Sequence, residues 1–250
     1  FGFLRVKELS GTEALLRQLC RLKPRAIICN TRDLHAPILQ LLKPYQQNGG
    51  IVICYDYPVQ LACDQVIFDR AKNATLATQH LLKAGHRRIG IHPGHRYPRD
   101  KRFSSPRLGG FKTALKEAHV PLRNDWIFYS ERTYEEAGQD IAAQFLALPV
   151  SKRPTALYIV NDRTAAAFVH TAMREDVKVP EELSIVSDDD LPSASSCYVP
   201  LTAVSQPVQQ IAETVVKLLE ERLKNPDMTP RYNVIEGELT SRRSVAKTSA

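Results

Sequence analysis

Short, nearly continuous apolar runs recur along this chain with room for one helix between each pair, and that alternation limits the fold more than any other feature. RAIICN (25–30) is bounded by Pro24 and a polar loop, and IVICY (51–55) follows Gly49-Gly50. RIGIH (88–92) follows Gly85, ALYIV (156–160) follows Pro154, and LSIVS (183–187) follows Pro180. A strand without polar alternates is covered on both faces, as in a parallel sheet. Between the runs, helical spacing predicts helices over 73–84 (Leu76, Ala77, Leu81, Ala84), 107–119 (Leu108, Phe111, Leu115, Ala118) and 135–147 (Ala137, Ile141, Phe145). The clearest is 207–224. Pro207 suits its first turn, Asn225-Pro226 ends it, and Val208, Ile211, Ala212, Val215, Leu218, Leu219 and Leu223 make one apolar face. Strands alternating with such helices predict an α/β fold of doubly wound parallel sheets. The tail after Arg243 is expected to fray.

Composition removes several classes. At 250 residues, 43% hydrophobic and 24% charged, the chain is an ordinary globular one with enough length for one large domain or two lobes. Disorder, collagen-like repeats and coiled coils are excluded. No apolar run approaches the roughly 18 residues of a membrane span, and FGFLRVKELSG lacks the order of a signal peptide. Thirty-four basic against 27 acidic residues give +7, but the basic residues are scattered, with their densest cluster at His95–Arg107. Direct nucleic-acid contact by this chain is therefore disfavoured. The five cysteines (Cys20, Cys29, Cys54, Cys63, Cys197) are odd in number and form no CxxC. That argues against a disulfide framework or zinc ribbon and for a reducing compartment, the cytoplasm.

In an open α/β sheet, ligands bind beyond the carboxyl ends of the strands. The residues there are Asp56; Asp69 and Arg70; Pro93, Gly94, His95 and Arg96; Asn161, Asp162 and Arg163; and Asp188, Asp189 and Asp190. Carboxylates, an amide and guanidinium groups together suit a neutral polyol, because each buried hydroxyl needs a donor and an acceptor. The plain alternative is that these are helix caps and solvated turns, above all for Asp162. His92 and His95 form an HxxH, but Pro93-Gly94 between them argues for a turn, so no metal site is expected. No GxSxG, GxGxxG or P-loop occurs, and no catalytic residue or cofactor is expected. A glycosidase pair within 188–190 is the enzymatic alternative.

From about residue 66 to 245 the sequence resembles the effector-binding core of the lactose-repressor (LacI/GalR) family of transcription regulators. The resemblance rests on HLLKAGHRRIGI (80–91), Arg107 with Gly110-Phe111, PTALYIVNDRTA (154–165), VPEELSIVSDDD (179–190), PLTAVSQP (200–207) and LTSRRSV (239–245), in the family's order. Residues 1–65 fit more loosely, and the family's first strand and first helix are expected to be absent. The resemblance implies two doubly wound lobes of the periplasmic-binding-protein type, 1–85 plus 207–232 and 86–206 plus 233–250, with three crossovers and a sugar or nucleoside-type metabolite bound between them. By position, ligand contacts carry over to Asp69 or Lys72, Arg107, Asn161, Asp189 and Gln206, with Asp162, His95 and Tyr134 as further candidates. Arg107 would offer its fork to ring hydroxyls or a carboxylate, a role that leaves the free protein's stability untouched. Lobe closure would shift the relation between two copies and hence their DNA affinity.

The departures from the family pattern bear on the ligand. The family's GFDD is here Ser187-Asp188-Asp189-Asp190, Thr133 and Tyr134 stand where a stacking aromatic is frequent, and Val208 replaces another. Weaker stacking puts a typical hexose in doubt, and His92, His95, Arg96 and Tyr97 would rebuild the pocket. The main expectation is the effector-sensing domain of a cytoplasmic, homodimeric regulator that reaches DNA through a domain outside this chain. The alternatives are a periplasmic sugar-binding protein of a transporter and a hydrolase using Asp162 or Asp189.

Overall fold

The computed structural model describes residues 9–32, 36–94 and 105–248. In chain order the elements are α1 (Leu9–Leu22), β1 (Ala26–Asn30), α2 (Ala36–Leu39), α3 (Leu42–Gln47), β2 (Ile51–Asp56), β3 (Asp64–Phe68), α4 (Arg70–Lys83), β4 (Ile89–His92) and α5 (Ser105–Glu117). They continue with α6 (Tyr134–Leu146), β5 (Ala156–Ile159), α7 (Asp162–Arg174), β6 (Ser184–Asp189), α8 (Pro192–Ser196), β7 (Thr202–Ser205), α9 (Val208–Lys224), β8 (Tyr232–Ile235) and β9 (Leu239–Thr240). All five apolar runs became strands. β6 runs two residues further than the run that announced it, which takes Asp188 and Asp189 into the sheet.

The chain forms two compact units and passes between them three times, at Phe68/Asp69, Gln206/Pro207 and Ile235/Glu236. The first unit holds a parallel sheet in the order β1-β2-β3-β8. One face packs Leu16, Ile38, Leu42 and Tyr45 against Ile27, Cys29, Val52 and Cys54; the other packs Ile211, Val215 and Leu218 of α9 against Ile51, Ile53, Val66 and Phe68. Each such buried side chain contributes about 1.5–3 kcal/mol. Three positions of α9 depart from its apolar stripe, Ala212 being exposed as well. Val208 is 60% exposed, while Arg222 is buried because its Nε and Nη2 both donate to the Asp64 carboxylate at 3.0 Å.

The second unit holds the order β4-β5-β6-β7-β9, parallel except for β9. Alternate strand residues serve opposite faces. Leu157, Ile159 and Ile185 pack against Ile141, Phe145, Phe168 and Val169 of α6 and α7; Tyr158 and Val186 pack against Ala74, Ala77, Leu81, Phe111 and Leu115 of α4 and α5. This packing explains why α4 belongs to the second unit, and not to the first as a boundary near residue 85 would have it. Its apolar stripe has its partners on β5 and β6.

The tail is also docked rather than frayed. Ser244 is fully buried; its Oγ accepts from Thr202 N at 2.8 Å and donates to the Ile185 carbonyl at 2.6 Å. His86 holds the same tail from the other side, with its ring nitrogens 3.0 Å from Thr155 Oγ1 and 3.2 Å from the Ala246 carbonyl. No helix among the described residues is long and apolar enough to cross a membrane.

Candidate functional site

The candidate site is the carboxyl edge of the second sheet, where β5 and β6 end side by side. Asn161 follows β5 and caps α7: its Oδ1 accepts from Arg163 N at 3.1 Å and Thr164 N at 3.4 Å. With the oxygen turned to the helix, Nδ2 faces the neighbouring strand end and donates to Asp189 Oδ2 at 2.9 Å. The Asp189 carbonyl accepts from Gln206 N at 3.0 Å, so the ends of β5, β6 and β7 are joined at this pair. Asn161, Asp189 and Asp190 have φ of 75°, 102° and 53°. Left-handed backbone at non-glycine residues costs of order 1–3 kcal/mol each, and such strain concentrates at binding sites.

Behind the edge lies a buried polar layer. Asp188 is fully buried; its carboxylate accepts from Arg107 Nε at 2.8 Å and from Asn73 Nδ2 at 3.1 Å. Asp188 has the strand parity of Val186, which turns it inward toward α4 and α5. The Tyr158 phenol is buried beside it with no hydrogen-bond partner among the described residues, and burial first, then the Asp188 charge, pushes its pKa well up. The Asp189 carboxyl is raised to about 7, by burial first and by the Asp188 charge second, against the pull of Arg107. Burial thus favours its protonated, donating form up to a higher pH than for an ordinary carboxyl.

The expected residues fall into three groups. Asn161, Asp189 and Gln206 come together at the edge. Asp69, Arg107 and Asp162 are engaged in holding the frame. Asp69 Oδ1 caps α4 by accepting from Lys72 N at 2.9 Å, and Arg107 is the partner of Asp188. Asp162 is wholly buried, with Ser187 Oγ donating to Oδ1 at 2.5 Å and Leu191 N to Oδ2 at 2.6 Å, so it braces the turn after β6. Burial raises its carboxyl to about 6. Lys72 and Tyr134 stand in the third group, at the surface. Lys72 Nζ lies 4.0 Å from Glu236, and the Tyr134 ring lies 4.2 Å from the Arg163 guanidinium, which also grips Glu135. His95, with Arg96 and Tyr97, lies outside the described residues. His92 is buried, with Nδ1 3.0 Å from the Phe128 carbonyl. No group of three or more His, Cys, Asp or Glu among the described residues is arranged to hold a metal ion.

Sequence reasoning missed Asp188 and Asn73 as members of this layer. Both carried a signal. Asp188 shares the parity of Val186, and Asn73 precedes Ala77 and Leu81 at four-residue steps, so it continues the buried stripe of α4.

The first unit has a similar edge of its own. Asp56, at φ 97° and buried, accepts from Arg32 Nε at 3.2 Å, and Thr31 Oγ1 bridges the carbonyls of Tyr55 and Tyr57 at 2.8 and 2.7 Å.

Comparison with known proteins agrees with this architecture. The profile of the periplasmic binding protein-like domain matches residues 78–245. The HTH-type transcriptional repressor PurR of Aliivibrio salmonicida is 28% identical over 240 residues, covering 96% of this chain and 70% of that protein. The ribose operon repressor of Haemophilus influenzae is 33% identical over 186 residues, covering 74% of this chain and 54% of that protein. Among solved structures, a complex of the transcriptional regulator CelR with cellobiose matches with a TM-score of 0.80 at 23% identity, covering 95% of this chain and 71% of that one. A LacI-family regulator from Enterococcus faecium with bound ribose matches with a TM-score of 0.79 at 23% identity, covering 95% and 85%. The matched profile spans about two thirds of the chain and leads to one conclusion: the chain belongs to the periplasmic-binding-protein-like family, and the relatives it is similar to are transcriptional repressors.

Proposed function

We propose that this domain binds a small polyhydroxylated metabolite, a sugar or related polyol, at the edge formed by Asn161, Asp189 and Gln206, and that binding alone, without turnover, sets the DNA affinity of the regulator. The observation that carries the reading is the Asn161–Asp189 pair, held on strained backbone at two adjacent strand ends. A carboxyl group able to donate or accept beside an amide matches hydroxyls, which also do both. The sugar named with the ribose operon repressor and the ribose and cellobiose of the solved structures support the same ligand class. Of the two acids a hydrolase could use, Asp162 and Asp189, Asp162 is inaccessible with both oxygens engaged, which favours sensing over catalysis.

DNA contact would fall to a part of the regulator outside residues 1–250, and the working form would be a cytoplasmic homodimer. The test is a thermal-shift panel of pentoses, hexoses, disaccharides and nucleosides against the wild type, Asn161→Ala and Asp189→Asn. A compound that raises the wild-type melting temperature by several degrees should lose most of that effect in both variants. A full shift retained in both variants removes the edge from the site, and no shift from any sugar removes the ligand class.

A further inference from the structure

Asn73 is fully buried in the first turn of α4, and its carboxamide bonds three separate segments. Nδ2 donates to the Asp188 carboxylate at 3.1 Å and to the Ser205 carbonyl at 3.2 Å, and Oδ1 accepts from Gly237 N at 3.2 Å. Both amide hydrogens and the oxygen are thus engaged. Ser205 stands just before the passage at Gln206/Pro207, Gly237 just after the return at Ile235/Glu236, and α4 itself begins at the first passage. The two passing segments are also bonded to each other. Ser205 N donates to the Glu238 carbonyl at 2.8 Å, and Glu238 N donates to Ser205 Oγ at 3.0 Å. A Cβ on Gly237 would lie 2.1 Å from the Ser205 carbonyl oxygen and 2.7 Å from Asn73 Oδ1, an approach that only glycine permits.

We propose that Asn73 is a positioning residue that couples the ligand edge, through Asp188, to the segments at Ser205 and Gly237 by which the chain leaves and re-enters the second unit. Asp188 is joined along β6 to Asp189, whose carboxylate takes Asn161 and whose carbonyl takes Gln206 N. Movement of the β6 end therefore moves a buried carboxylate with two fixed partners. Of the two partners, Asn73 also bonds the Ser205 carbonyl and Gly237 N, so the displacement is passed on to the passing segments through Asn73. A ligand that favours one setting of Asp189 then favours one setting of the passing segments. The biological purpose rests on the reading of the Asn161–Asp189 edge as the effector site; the coupling itself is a property of the unliganded protein.

Amide hydrogen exchange on the unliganded chain tests it. Asn161→Ala removes the bond to Asp189 at the far end of the network. Exchange at Gly237 and Glu238 should then rise about tenfold, while Ala142 and Phe145 in α6 keep their rates. In an Asn73→Ser background, or in Gly237→Ala, which opens the junction from the return segment, Asn161→Ala should add nothing further at Glu238. Unchanged exchange at Gly237 and Glu238, an equal rise at Ala142 and Phe145, or a fully additive rise in the altered backgrounds each overturns the coupling. The sugar panel succeeds or fails independently of these rates.

Discussion

At the residue scale, the decisive fact is that Arg107 already has a partner. Its Nε–Asp188 bond is 2.8 Å, with side-chain exposures of 9% and 0%. Removing one member of a buried pair leaves an uncompensated charge, at a cost of roughly 3–5 kcal/mol. Arg107→Ala should therefore lower the melting temperature of the free protein by roughly 10 °C, contrary to a role confined to the ligand. Adding Asp188→Asn should restore part of the loss, and a melting curve unchanged by Arg107→Ala would dismiss the pair as a stabilising element.

The two raised carboxyls give a second expectation. Asp162 at about 6 and Asp189 at about 7 both titrate above the ordinary carboxylate value, so the folded state binds protons that the unfolded state has released. Their contribution to stability is full below the unfolded value, near 4, and is lost as pH rises through about 6 to 7. Melting temperatures from about pH 4.5 to 7.5 should thus fall less steeply toward neutral pH in Asp162→Asn and Asp189→Asn than in the wild type. Parallel profiles would remove the two groups as the source.

At the scale of elements, α4 and the C-terminal tail show how packing overrides local expectation. Residues 244–248 have little intrinsic structure, yet they run against β6, β7 and the α4–β4 turn, where Ile185 N donates to the Ser244 carbonyl at 2.7 Å and Thr248 N to the Ala84 carbonyl at 3.0 Å. Gly85, at φ 97°, gives the turn its left-handed step, and a Cβ there would lie 2.8 Å from Thr248 Cγ2. Ser244→Ala would leave Thr202 N and the Ile185 carbonyl buried without their hydroxyl partner, a cost of about 1–3 kcal/mol. Urea titration of the second unit should show that loss, and a midpoint equal to wild type would mean that the tail adds no stability. α9 makes the converse point. Its stripe was correct at Ile211, Val215 and Leu218, but Asp64, distant in sequence, draws Arg222 into the same buried face.

At the scale of the whole molecule, the division of labour follows from the range of the interactions. Apolar runs and helical stripes are properties of short windows, so β2, β4 and β5, the helices α4, α5, α6 and α9 and the α/β class could be read along the chain. The position of Asn161 and Asp189 at strand ends followed from the same runs, because a strand that stops delivers its next residues to the sheet edge. The assignment of α4 to one unit, the docking of the tail and the Arg107–Asp188–Asn73 layer were out of reach of any window. Asn73 and Asp188 are 115 residues apart, and their bond exists only because parity turns one carboxylate inward beneath a helix whose stripe ends in an amide. Periodicity states which side of an element is covered; what covers it, and which buried charge then demands a partner, is set by the packing of segments far apart in the chain.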